Sequence, residues 1–578
     1  MNQKRRIRLG DLLVEHGVIT QAQLEEALAA QKKSGKKLGR VLIDQGILTE
    51  EQLARFLSEQ LGLPYVDLAH YQFEPEVVRL LPEIHARRFR AIPLKQERDG
   101  LLVGIADPTN LFAYDEISRI LQQPVKLAVV RESDLLRSID MLYRRTEEIS
   151  GFAEALGDEL EEGIDVEALV AQADVADAPV VRLIQSLFED AVQVGASDIH
   201  IEPDERVLRI RQRIDGVLHE QVMDEKRIAS ALVLRLKLMA NLDIAEKRLP
   251  QDGRFTMTVR GHHIDVRLST MPIATGESVV MRLLDQTAGV LEMEQLGMPE
   301  DILTRFDHLV HRPYGMVLVT GPTGSGKTTT LYSALKRINR PQLKIITVED
   351  PVEYRLPRVN QVQVNPDIDL TFSRVLRSAL RQDPDVILIG EMRDEETAEI
   401  GLRAAMTGHL VLSTLHTNDA VSTVSRLLDM GAPPYLLAAS LNAILAQRLV
   451  RRVCEYCKEE WKPEPQELAW LRANAPESAL AARFVHGAGC AYCNNTGYRG
   501  RIGVYELLEI DRELALVLGR GDSPAFAEQA RRAQGYRPLE QVALVDALKG
   551  ITTLHEVMRI SAEGLDEPEA GTERAEAG

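Results

Sequence analysis

Residues 315–330 read Gly-Met-Val-Leu-Val-Thr-Gly-Pro-Thr-Gly-Ser-Gly-Lys-Thr-Thr-Thr, an apolar run that breaks into Gly321-x4-Gly326-Lys327-Thr328. The apolar run predicts a buried strand, and residues 329–338 continue as a helix former. Between them Gly321, Pro322, Thr323, Gly324, Ser325 and Gly326 predict a loop that wraps a polyphosphate. Its N–H groups would point inward at the positive end of the helix dipole. Lys327 is then expected to neutralise the β- and γ-phosphate oxygens. The Thr328 hydroxyl, with Thr329 beside it, is expected at Mg2+. The flanking strand and helix separate this stretch from a chance glycine-rich turn, and the expected ligand is ATP or GTP.

Working outward, apolar strands at residues 344–348, 386–389 and 410–414 alternate with helical patterns across residues 315–450. That alternation predicts a parallel sheet covered on both faces. Two of these strands end in carboxylates. Glu391 closes Val386-Ile-Leu-Ile-Gly-Glu and falls at the C-terminal edge, where nucleotide sites form. It is suited to hold Mg2+ through water or to polarise the attacking water. Glu349 closes Ile345-Ile-Thr-Val-Glu and is a second candidate base. His409 and His416 bracket the strand of Thr407-Gly-His-Leu-Val-Leu-Ser-Thr-Leu-His-Thr-Asn. Each reads either as a packed core histidine or as a γ-phosphate sensor, and Thr414 or Asn418 could serve as sensor instead.

Residues 179–310 mix helix and strand patterns, with an amphipathic segment at 180–194 and half-buried strands at 207–214 and 264–268. Arg209, Arg211 and Arg213 alternate on one strand face, and Arg254, Arg267 and Arg282 recur at expected strand ends. Two readings stay open: a solvated, salt-bridged face, or a phosphate clamp exploiting the planar guanidinium fork.

At 578 residues the chain is too long for one core, and three or four domains are expected. A net charge of −18 argues against a broad nucleic-acid surface. No apolar run approaches the ~18–20 residues that span a bilayer, and the basic start lacks an apolar continuation. A cytosolic protein, touching membranes through partners, is expected. The four cysteines form two pairs, Cys454-x2-Cys457 and Cys490-x2-Cys493, separated by 32 residues. Two such turns can offer four thiolates to a closed, structural Zn2+ site. The alternatives are redox dithiols or two disulfides, the latter disfavoured in a reducing cytosol.

The N-terminus repeats itself at a 29-residue offset: Leu9-Gly-Asp-Leu-Leu-Val-Glu-His-Gly aligns with Leu38-Gly-Arg-Val-Leu-Ile-Asp-Gln-Gly, and the match continues through Gln31 and Gln60. Each copy predicts two short helices, the first ending at Gly17 or Gly46, the second capped by Thr20 or Thr49. On spacing alone this is either a helical scaffold or a binding module. From Glu147 to Asp177 there are 11 acidic residues and no Lys or Arg, which predicts a solvated, mobile or loosely helical linker. The boundaries expected are an N-terminal regulatory domain 1–145, a linker 146–178, an α/β domain 179–300, an ATPase domain 301–450, a C-terminal domain 451–560 carrying the cysteine module 454–493, and a disordered tail 561–578.

These strings resemble a family. The phosphate loop, Ile346-Thr-Val-Glu-Asp-Pro-Val-Glu, Leu380-Arg-Gln-Asp-Pro-Asp, Gly390-Glu-Met-Arg-Asp, the histidine-bracketed strand, Gly195-Ala-Ser-Asp-Ile-His-Ile-Glu and Leu249-Pro-Gln-Asp-Gly-Arg are similar to the ATPases of type II secretion and type IV pilus assembly. The similarity runs from about residue 178 to 559 and includes the tetracysteine module. Among that family's branches the whole chain looks most like the extension ATPases of mannose-sensitive haemagglutinin pili. The resemblance implies a RecA-like ATPase core, a PAS-like α/β domain before it, and a homohexamer docked on an inner-membrane platform protein and a cytoplasmic recruitment protein. It places Glu349 in the Asp box, Glu391 in the Walker B motif and His409 and His416 in the His box. Arg267 and Arg282 match arginines that reach the phosphates, with Arg213 assisting. The repeat, opening Arg8-Leu9-Gly10, resembles the tandem motif of the family's cyclic di-GMP-binding N-domain. This implies contacts from Arg8, Leu9, Gly10 and Gln31 and from Lys37, Leu38, Gly39 and Gln60, the second copy departing with lysine in place of arginine. A nucleic-acid translocase, sharing the same core, is the rival reading.

Overall fold

The computed structural model describes residues 9–34, 38–68, 71, 73–143, 146–161, 178–223, 225–287, 289–493 and 496–563. Arg8, Lys37, the second half of the acidic stretch and the tail beyond 563 lie outside the described residues. The chain divides into two compact units: residues 1–148 with 488–497, and residues 149–487 with 498–578.

In the first unit the repeat forms four helices, α1 (Leu9–Glu15), α2 (Gln21–Ser34), α3 (Leu38–Asp44) and α4 (Glu50–Leu61). The Thr49 hydroxyl accepts from Gln52 N, and the Gln52 side chain accepts from Thr49 N, a complete capping box; Thr20 and Gln23 do the same. Leu13, Ile19, Leu24 and Ala27 of the first copy pack with Val41, Leu42, Leu48 and Phe56 of the second. Each copy thus buries an apolar face that neither could bury alone. Downstream, β1 (Ala91–Glu97), β2 (Gly100–Ile105) and β3 (Val125–Val129) form a small mixed sheet over a core of its own.

The second unit opens with a departure from expectation. The first half of the acidic stretch is a helix, α5 (Thr146–Glu161), with Ile149, Ala153 and Leu156 fully buried. The spacing i, i+4, i+7 makes one apolar seam inside an acidic composition, and the seam decides the structure. It joins a core built by α6 (Pro179–Val194) and a six-stranded sheet. The strands are β4 (Asp198–Pro203), β5 (Leu208–Ile214), β6 (Val217–Met223), β7 (Gln251–Val259), β8 (His262–Ile273) and β9 (Gly276–Asp285), antiparallel in the order β6-β5-β4-β9-β8-β7.

A larger sheet follows. Its parallel strands are β10 (Gly315–Thr320), β11 (Ile345–Glu349), β12 (Val359–Gln363), β13 (Val386–Ile389), β14 (Leu410–Leu415) and β15 (Leu441–Val453). A ribbon of β16 (Lys458–Trp461) and β17 (Phe484–Gly487) precedes β18 (Tyr498–Glu509), which returns antiparallel to β15. The order β12-β11-β13-β14-β10-β15-β18 puts the phosphate-loop strand in the interior of the sheet. Both faces are covered, so β10, β13 and β14 read as continuous apolar runs. Among the described residues no helix is long and apolar enough to cross a membrane.

Candidate functional site

Strands β10, β11, β13 and β14 are parallel, so their C-terminal ends open onto one edge. There the chain leaves β10 through the loop and returns as α7 (Lys327–Ile338). Gly321 (φ +147°) and Gly326 (φ +89°) press against β15. A Cβ on Gly321 would stand 2.4 Å from Gln447 O, and one on Gly326 2.7 Å from Gln447 Nε2, so only glycine allows this approach. Pro322, Thr323 and Gly324 are exposed at the rim, as are Thr328 and Thr329 on the first turn of α7. Ser325 is buried, and its Oγ makes no hydrogen bond among the described residues.

Lys327, 8% exposed, donates from Nζ to Gly321 O (2.6 Å) and Pro322 O (2.9 Å). Burial pushes its ammonium down to about 8; the Arg448 guanidinium adds to the shift and the Glu391 carboxylate opposes it. A lysine folded onto backbone carbonyls and an orphaned buried hydroxyl in one cradle fit a polyphosphate with its Mg2+. Lys327 and the loop N–H groups would bind the phosphates, and the Thr328 hydroxyl and Glu391 would hold the metal.

Glu391 follows β13. Its Oε1 pairs with Arg393 Nη2 at 2.5 Å, and its Oε2 faces His416 Nε2 at 3.6 Å. Burial, then the Lys327 charge, hold the His416 imidazole below its ordinary range, with Glu391 opposing. Glu349 is placed differently: it is 3% exposed, and the Tyr332 and Thr347 hydroxyls and Gln361 Nε2 (3.2 Å) all donate to it. Its oxygens are engaged by protein donors at the base of α7.

His409 is not brought to this edge. It precedes β14, where its carbonyl accepts from Gly315 N (3.1 Å) and its Nδ1 lies 2.9 Å from Ala404 O. The six residues of β14, about 20 Å at ~3.3 Å each, separate it from the phosphate loop within this chain.

The arginines sort by register. Arg209 pairs with Asp204 and Glu220, and Arg211 with Glu202, which is a salt-bridged face. Arg254, Arg267, Arg282, Asp198 and Arg213 stand opposite one another on β7, β8, β9, β4 and β5, one row across one face of the sheet. Arg254, Arg267 and Arg282 lie inside their strands, not at strand ends as the sequence suggested. Asp198 is shared: Arg282 Nε lies 3.2 Å from Oδ1 and Arg213 Nε 3.7 Å from Oδ2. Arg267 instead forks onto Glu353 in the loop after β11, at 3.2 and 2.5 Å.

Among the regulatory residues, Gly10 and Gly39 are buried, while Leu38, Gln31 and Gln60 are half-buried. A Cβ on Gly10 would meet Leu24 Cδ1 at 2.5 Å, so a side chain here would make the packed leucines shift. Arg8, Lys37 and the Leu9 side chain lie outside what is described. The Sγ atoms of the four cysteines lie within 4.8 Å of one another. Cys490 and Cys493 stand 3.7 Å apart, and Cys493 Sγ accepts from Cys490 N and Gly497 N, both at 3.2 Å. Zn–S bonds of ~2.3 Å give a tetrahedral edge of about 3.8 Å, so the set fits Zn2+.

Sequence reasoning passed over Gln447 and Arg448, both buried beneath the loop. The signal was available: a Gln-Arg pair inside an apolar strand.

A phosphate loop at a parallel-sheet edge, faced by a carboxylate and a histidine, defines a nucleotide-hydrolysing enzyme of the phosphate-loop class. Residues 173–559 match the family described as type II/IV secretion system protein, and residues 61–149 match the MshEN domain. The chain is 43% identical over 558 residues to the type IV pilus assembly ATPase PilB of Myxococcus xanthus (strain DK1622), covering 95% of this chain and 98% of that one. It is 45% identical over 498 residues to the type II secretion system protein E of Dickeya dadantii (strain 3937), covering 85% and 98%. A solved structure of MshE with cdg is 43% identical over 24% of this chain and all of its own, with a TM-score of 0.23. The chain belongs to the type II/IV secretion system protein family. It is an ATP-hydrolysing enzyme, a pilus-assembly or type II secretion ATPase. The MshEN match begins at residue 61, downstream of the repeat, which ends at Gln60.

Proposed function

We propose that the chain works as a homohexameric motor in which ATP hydrolysis at Lys327 moves a PAS-like domain (179–300) against a RecA-like domain (301–450), driving pilin or pseudopilin assembly of the haemagglutinin-pilus type. The observation that carries this reading is the Arg267–Glu353 fork. It ties the arginine-bearing sheet to a loop of the nucleotide edge through a bond that phosphate oxygens can replace. Exchanging a carboxylate for a phosphate at one guanidinium changes how the two sheets are held, which is the differential contact a motor needs. In this reading Glu391 acts on water or Mg2+, His416 is the sensor, and Glu349, Arg282 and Arg213 support them. The motor sits on the cytoplasmic side, docked on an inner-membrane platform protein and a recruitment protein. Lys327→Ala in the full chain is expected to abolish ATP turnover; full turnover at saturating ATP would refute the site.

The N-terminal unit is read as a cyclic di-GMP receptor, supported by the tandem Arg8/Lys37 motif and the MshEN match. Calorimetric titration of the full chain tests it, and no heat at micromolar protein would leave the repeat a scaffold. Cys454, Cys457, Cys490 and Cys493 are read as ligands of one structural Zn2+.

A further inference from the structure

The loop after β14 engages three strands with three consecutive residues. His416 faces Glu391 at 3.6 Å, beyond the end of β13. The Thr417 hydroxyl meets that of Thr320, the last residue of β10, at 2.5 Å. Asn418 Oδ1 accepts from Arg448 Nη2 on β15 at 2.9 Å. The first two anchors belong to the nucleotide site by position. The third needs its own explanation, because Arg448 is 4% exposed within an apolar strand, where a charge is expensive to bury.

Its surroundings supply the explanation. Arg448 Nη1 donates to Gln447 O at 3.2 Å, the carbonyl against which Gly321 is pressed. The Gln447 side chain turns to the opposite face, accepts from the Thr330 hydroxyl at 2.7 Å and lies beneath Gly326. The pair is therefore the floor of the phosphate loop, and its charged member reaches from that floor to the loop carrying His416.

We infer that Arg448 is a positioning residue of the hydrolytic site: its guanidinium fixes Asn418, and with it the 416–418 loop, against the phosphate loop, and adds a second buried positive charge beside Lys327. A strut that only stabilised β15 would have no reason to end on the sensor loop. The inference rests on the phosphate loop being the hydrolytic site, which Lys327→Ala tests separately.

The test is steady-state ATPase kinetics on the full chain for Arg448→Gln, Asn418→Ala and the double variant. Each single change is expected to lower kcat about 100-fold, the scale of a misplaced reacting group, with KM for ATP within about threefold of wild type. The double variant is expected to fall no lower than the worse single, because both break one link. Asn418→Ala changes a half-buried side chain and keeps the Arg448 charge, so it tests the link even where Arg448→Gln does not fold. A kcat for Asn418→Ala near wild type, a loss carried by KM instead of kcat, or multiplicative losses in the double would each overturn the assignment.

Discussion

Lys327 is the group through which pH should reach the reaction. In the nucleotide-free chain its ammonium titrates at about 8, because burial and the Arg448 charge both oppose it. A bound triphosphate supplies the missing counter-charge, so the pKa in the complex rises toward the ordinary lysine value of about 10.4. A group whose pKa rises on binding favours binding while protonated. Affinity is therefore complete below pH 8 and is lost as pH climbs through it. At pH 9 only about one loop in eleven carries the ammonium, so kcat/KM should fall about tenfold per unit above pH 8. The saturated rate kcat should hold over the same range, since bound Lys327 stays charged. The assay is initial phosphate release by the full chain from about pH 6.5 to about pH 9.5, at constant ionic strength with Mg2+ in excess. Lys327→Arg is the control, because a guanidinium does not titrate there and the limb should vanish whatever activity remains. A wild-type kcat/KM that stays flat to the top of that range, or a limb equally present in Lys327→Arg, refutes the reasoning. For folding the sign reverses. The unfolded chain binds more protons between pH 8 and about pH 10.4, so the nucleotide-free chain should gain stability across that window.

The two carboxylates should separate. Glu391→Gln is expected to lower kcat about 100-fold or more while ATP still binds, and a rate near wild type would remove Glu391 from the chemistry. Tyr332→Phe takes a hydroxyl donor from buried Glu349. It should destabilise the nucleotide core by about 1.5–3 kcal/mol, read as a lower urea midpoint, and an unchanged midpoint would contradict the buried network. Metal analysis of the purified chain should find about one zinc per chain, lost in Cys493→Ser together with thermal stability. Zinc retained in that variant would dismiss the four-thiolate site.

Much of this protein was legible in one dimension. The phosphate loop, its strand and its helix are contiguous, and backbone N–H groups, dipole and lysine act within a dozen residues. The repeat's caps at Thr20 and Thr49 were readable for the same reason, as was the Cys-x2-Cys spacing. Composition misled at α5, because net charge is a sum while burial depends on where Ile149, Ala153 and Leu156 fall around a helix.

What the tertiary structure alone decided depends on which strands lie side by side. His409 and His416 are seven residues apart in a matching pattern, yet a parallel strand carries them to opposite edges. Arg254, Arg267, Arg282 and Arg213 become one row only through four cross-strand registers, and a slip of one residue would turn any of them to the other face. Arg448 reaches Asn418 across 30 residues because β15 pairs with β10, a choice of neighbour made by the packing of the whole sheet. Local chemistry is written in order along the chain, whereas lateral neighbours are set by global burial, and no short stretch of residues encodes them.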